Sequence, residues 1–137
     1  MIGIVKLATV VVVVSLAACA VPPTERQLNY LGSALTKVSA AVDATVRYAS
    51  PTERLPEDQL LQLSTAHDPD LLKPFQGMTV RVLRTGVDSA VLVCQKDAGA
   101  ALLEDAGCTA RLDSQRWNSG GAKRCEFTLD LKTICAR

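Results

Sequence analysis

Aromatic side chains are scarce in this chain. Tyr30, Tyr48, Phe75, Trp117 and Phe127 make up 4% of 137 residues and lie scattered. They offer no platform for stacking bases or sugars, and no basic stretch is interleaved with them, so nucleic-acid binding is not expected. Histidine occurs once, at His67. A Ser-His-Asp or Cys-His centre would have to use it. It directly precedes Asp68-Pro69, which reads as the start of a helical turn, and no nucleophile motif accompanies it. No two cysteines have the C-x-x-C spacing of a zinc knuckle or a redox pair. Gly120-Gly121 lacks the G-K-[ST] context of a phosphate loop. Neither charge sign dominates, with 15 basic and 14 acidic side chains. The paired carboxylates of Glu104 and Asp105, with Asp113 nearby, could in principle do acid–base work. Beside Gly107 they read instead as a solvated loop. No catalytic residue, metal or cofactor is expected.

What the chain has is a distinctive beginning. Lys6 supplies a positive charge, residues 7–18 form an apolar run that includes Val10 to Val14, and small residues precede Cys19. This is the layout of a secretory signal peptide. The run is shorter than the ~20 residues that a spanning helix needs. Leu16-Ala17-Ala18-Cys19 resembles the lipobox of bacterial lipoproteins. The resemblance implies cleavage before Cys19 and attachment of acyl chains, palmitate among them, to that residue. Each buried methylene contributes about 0.8 kcal/mol, and two or more chains hold a protein stably to a membrane. In lipoproteins of diderm bacteria an aspartate after the cysteine commonly signals inner-membrane retention. Ala20 stands there, which implies the periplasmic side of the outer membrane. Removing residues 1–18 takes away Lys6 and no acid, so the mature chain has balanced charge.

Four cysteines follow the anchor: Cys94, Cys108, Cys125 and Cys135. An even number in an exported chain reads as two disulfides. If residues 124–133 form one extended strand, Cys125 and Cys135 stand about 30 Å apart, beyond the ~7 Å a disulfide tolerates. A turn near Gly120 would bring Cys108 close to the end of that strand. The expected bridges are therefore Cys108–Cys135 and Cys94–Cys125.

The rest of the chain reads as α+β. Residues 19–24 form a lipidated tether stiffened by Pro22 and Pro23. Thr24 and Gln27 have capping-box spacing and open a helix over residues 25–50. Leu28, Leu31, Leu35, Val38, Val42, Thr45 and Ala49 form an apolar seam along it, and Asp43 pairs with Arg47 on its wet side. Ser50-Pro51 ends it. Pro56 starts a second helix carrying Leu60, Leu61 and Leu63, and Pro74 and Gly77 close a helical region of residues 25–76. From residue 77 the pattern changes to that of an antiparallel sheet. Residues 78–83 alternate, residues 90–94 are continuously apolar as in a central strand, and short segments follow at residues 100–103 and 108–112. Asn118-Ser119-Gly120-Gly121 marks a turn. The clearest strand is the last, with Cys125, Phe127, Leu129 and Leu131 on one side. The two regions together read as one domain.

These features imply a non-enzymatic envelope module held to the membrane through Cys19, with an envelope protein as partner. Leu28, Leu31, Leu35, Val38 and Val42 are one candidate contact surface. Their heptad spacing would also allow helix 25–50 to pair with a second copy, although its flanks lack the charges that usually choose zipper partners. Arg116 and Trp117, beside the glycine turn, are the other candidate, since both residue types are enriched at binding hot spots. The alternative function is an inhibitor or immunity protein that presents this turn to a cell-wall hydrolase or toxin.

Overall fold

The computed structural model describes residues 23–49, 51–96, 99–109 and 124–136. Helix α1 (Glu25–Tyr48) begins on the expected capping box. The Thr24 hydroxyl accepts from the Gln27 amide, and the Gln27 side chain accepts from the Thr24 amide at 2.8 Å, so two amides with no helical partner are satisfied reciprocally. Ala49 is already extended, and the helix stops short of Ser50. Leu28, Leu31, Leu35, Val38 and Val42 are buried, as are Gly32 and Ser39 beside them. The stripe then runs through Val46 in place of Thr45. A straight helix turns once per 3.6 residues, so a seven-residue repeat drifts across its face. Thr45 instead turns its hydroxyl back to the Ala41 carbonyl at 2.9 Å. The buried face is thus wider than a zipper seam and suits a helix lying on a sheet.

That sheet has three antiparallel strands in the order β1 (Met78–Thr85), β2 (Asp88–Gln95), β3 (Ala101–Ala106). Gly86, at φ +64°, supplies the positive φ that a two-residue hairpin needs at its first central position. β2 is central, as its apolar run implied, because both of its faces are covered. Rows of paired residues alternate between those faces. Val82, Val91 and Asp105 share one row, and Arg81, Leu92 and Glu104 the next. The register shifts at Val93 and Cys94, leaving Leu102 as an extra residue. Consecutive Leu102 and Leu103 therefore both join the core beneath α1, while Ala101 packs with Leu92 and Cys94 on the opposite face.

Helix α2 (Glu57–Thr65) and the 3-10 segment Pro69–Phe75 complete the helical layer. Leu60 and Phe75 enter the same core as α1 and the strands, whereas Leu63 is exposed. Asp68 caps the 3-10 segment by accepting from the Asp70 amide at 3.2 Å. Glu57, at the start of α2, accepts from the Val82 amide at 2.8 Å and from Arg81 at 3.1 Å. It thereby closes part of the open edge of β1 against further strand pairing.

The opposite face of the sheet is covered by residues 124–136. Exposure alternates along 124–131 as expected, with Leu131 fully inside, yet this segment is not the expected strand. Arg124 makes an isolated bridge to Ala100, and Leu131–Ile134 form a short helix, α3, capped by Asp130. The segment crosses the face of the sheet rather than extending its edge. Its apolar side chains reach Ala90, Leu92, Cys94, Ala101 and Ala106, while its amides find partners other than a neighbouring strand.

Candidate functional site

Two disulfides fasten this strap to the sheet. Cys94 on β2 bonds to Cys125, and Cys108, just past β3, bonds to Cys135, with Cα separations of 5.6 and 5.7 Å. These are the bridges expected from the sequence, although the chain turns into α3 at Leu131 instead of continuing as a straight strand. Between them stands Glu104, 2% exposed. Its carboxylate accepts from the amides of Thr128 at 2.9 Å and Leu129 at 3.4 Å and from the Thr128 hydroxyl. Arg81 adds a further tie. It donates to the Cys125 carbonyl at 3.0 Å and lies 5.8 Å from the centre of the Phe127 ring. A carboxylate, a guanidinium and two covalent bonds thus do for the strap what a hydrogen-bonded ladder does for a strand.

Glu104 and Asp105 are therefore not in a solvated loop. Strand β3 continues to Ala106 because Ala90 and Val91 of β2 need paired neighbours, so the turn begins only at Gly107. Asp105, 1% exposed, faces α1. The Ser39 hydroxyl donates to its main-chain oxygen at 3.4 Å. One turn further along α1, Asp43 lies over Gly107, where a Cβ atom would come within 2.6 Å of the Asp43 Cβ. Four helical residues advance about 6 Å and two strand residues about 6.6 Å, so α1 and β3 keep step and only glycine fits beneath Asp43. Asp43 and Arg47 are not on a wet face. Both are largely enclosed, joined at 2.9 Å, and Arg47 also reaches Asp88 at 3.1 Å. The Asp43 hydrogen bond, with that to Asp88, keeps the Arg47 guanidinium charged against its desolvation. Asp43 Oδ1 and Ser89 Oγ make no hydrogen bond among the described residues. Burial pushes the Asp105 carboxyl up to about 6, partly offset by the Ser39 hydroxyl. The cluster can hold a proton near neutral pH.

The other expected site residues fall in different places. Leu28, Leu31, Leu35, Val38 and Val42 do not form a partner surface, because all five are buried in the chain's own core against the sheet. For the same reason they are not available to a second copy of α1. Cys19, Asp113, Arg116, Trp117 and the turn at residues 118–121 lie outside the described residues, as does most of the segment 108–112. Cys108 and Thr109, its described part, are not in a strand. His67 is exposed beside the Asp68 cap. Among the described residues no group of three or more His, Cys, Asp or Glu could hold a metal, and no helix is long and apolar enough to cross a membrane.

Among the described residues, large apolar side chains are exposed at Leu63 on α2 and toward the two ends of α1. Near its start, Tyr30 is 62% exposed and lines two clefts of about 300 and 360 Å³. Near its finish, Tyr48 is 84% exposed. The Arg47–Asp88 ion pair ties that end of the helix to the β1–β2 hairpin, whose Val87 is 56% exposed. No family model, curated protein or solved structure matches this chain.

Proposed function

We propose that this chain is a non-enzymatic lipoprotein, anchored through acylated Cys19 on the periplasmic side of the outer membrane, and that it acts by binding another envelope protein. The observation that carries this reading is the distribution of its five cysteines. Four are joined to one another in two disulfides, which form and persist in oxidising compartments. The remaining one stands where the lipobox-like Leu16-Ala17-Ala18-Cys19 places the processed terminus. With the α1 seam buried, the proposed partner surface is the exposed end bearing Tyr48 and Val87, with Arg116 and Trp117 as the other candidate.

Mass spectrometry of the protein from its native host tests the anchor. A mature terminus at Cys19 carrying acyl groups is expected, together with loss of membrane association in Cys19→Ser. An intact Met1 terminus, or an unmodified thiol at Cys19, overturns the reading. A photoreactive residue at position 48 should capture a discrete envelope protein in cells, and capture by position 63 alone would place the partner on α2 instead.

A further inference from the structure

Three residues separate Cys19 from Pro23, where the described fold starts, so four Cα-to-Cα steps join them. At up to about 3.6 Å per step these reach about 14 Å, and Pro22-Pro23 restricts their directions. On the anchored reading, the start of α1 stays within that distance of the lipid on Cys19. This end of the molecule is suited to such a neighbour. The larger cleft, about 360 Å³, has Pro23, Leu31, Met78 and Leu102 in its walls, and Tyr30 and Pro74 belong to both clefts. Tyrosine has an apolar ring and a polar tip, and it concentrates where hydrocarbon meets water. Charge gives no contrary pull: around the smaller cleft Asp68 and Asp70 are matched by Lys37 and by Lys73, which pairs with Asp70 at 2.9 Å.

We propose that the Tyr30 end, with the cleft of Pro23, Met78 and Leu102, is a membrane-contact face seated in the headgroup layer of the bilayer that holds Cys19. The proposal rests on the anchored reading and adds an orientation to it. Tyr48 lies 18 residues further along the same helix, about 27 Å away. It and the β1–β2 hairpin are then held clear of the lipid, open to a partner. Because the contact is apolar and the local charges balance, it persists in vesicles without anionic lipid.

Two single-tryptophan chains test this, Tyr30→Trp and Tyr48→Trp, each with Trp117→Phe. Both replace exposed tyrosines, and far-ultraviolet circular dichroism matching the parent chain confirms the fold of each variant, Trp117→Phe included. The acylated full-length proteins are placed in phosphatidylethanolamine–phosphatidylglycerol vesicles with and without bromine on the upper acyl carbons. The indole at position 30 should shift to shorter wavelength and lose emission to bromine, and that at position 48 should keep the emission of a water-exposed indole. A water-like indole at position 30 in vesicle-bound protein overturns the contact face and leaves the anchor standing. Equal quenching at both positions overturns the orientation. Protein that leaves the vesicles, with no acyl group found at Cys19, overturns the anchored reading and this proposal with it.

Discussion

The two faces of the sheet are covered by opposite means. On one face, α1 lies along β3 and buries a wide aliphatic stripe, with Leu35, Val38 and Val42 completely enclosed. At about 25 cal/mol per Å² of apolar area removed from water, and with a capping box that starts the helix, this face needs no covalent tie. On the other face, residues 124–136 contain one four-residue helix, and of their four large apolar side chains, Phe127, Leu129, Leu131 and Ile134, only Leu131 is fully buried. A segment of that kind cannot repay the backbone entropy of its own ordering, about 1–2 kcal/mol per residue. The fold fixes it with two disulfides and a buried carboxylate. Where the sequence is apolar and periodic, burial organises the chain. Where the segment is short and only its alternate residues are apolar, cross-links do.

Reduction should break this contrast most severely. The bridges span 31 and 27 residues, and loops of this size contribute about 3–4 kcal/mol each. In dithiothreitol the amides of residues 124–136 should lose hydrogen-exchange protection first, while those of α1 and β2 keep theirs at low denaturant. Four newly titratable thiols accompanied by unchanged stability would show that the strap is held without its bridges.

Glu104 sharpens the comparison at a second level. Glu104→Gln keeps the shape but replaces one accepting oxygen with an NH2 donor, among the donors of Thr128 and Leu129. The Thr128 amide and hydroxyl then compete for one oxygen, and a charge-assisted bond contributes about 1.5–3 kcal/mol. A loss of about 2 kcal/mol in urea unfolding of the oxidised protein is expected, with greater exchange confined to the strap. An effect spread evenly over α1 would mean that the two faces are not independently held.

The difference between the faces also explains what was legible in the residues. Heptad-like spacing from Leu28 to Val42, the Thr24–Gln27 pair and the continuous apolar run of β2 are local periodicities, and each led to the element it forms. The seam does not announce its partner, because an apolar stripe looks the same whether a sheet or another molecule covers it. Val46 and Ser39 joined it only because a sheet is wider than a helix. Glu104 and Asp105 misled for a related reason. Acidic residues before Gly107 have the composition of a turn, and only the length of β2 requires β3 to run through them. The alternation from Cys125 to Leu131 was real but ambiguous, since a chain crossing a sheet face alternates its burial as a paired strand does. The right disulfides emerged because they depend on which residues lie near one another, not on whether the last segment is hydrogen-bonded as a strand.

The smallest effect should come from Asp105, and it belongs to the α1 face alone. Its carboxyl titrates at about 6 in the fold against an ordinary value of 3.8, because burial disfavours the charged form. The folded state therefore binds this proton more tightly than the unfolded chain. The stability it contributes is fully present below pH 4 and is lost as pH rises through 6. Between pH 5 and 7.5 the loss is on the order of 1 kcal/mol. Asp43, Arg47 and Asp88 surround the same interface, but Arg47 stays charged throughout that range and ties the other two carboxylates as a fixed network. Asp105→Asn keeps the shape and a polar group for Ser39 while removing the titration. Urea unfolding of the oxidised protein at pH 5, 6 and 7.5 should show stability falling with pH in the parent chain and a flatter profile in the variant. An identical slope in both would move the titrating group away from the α1–β3 contact. A slope that disappears on reduction would assign it to the strap.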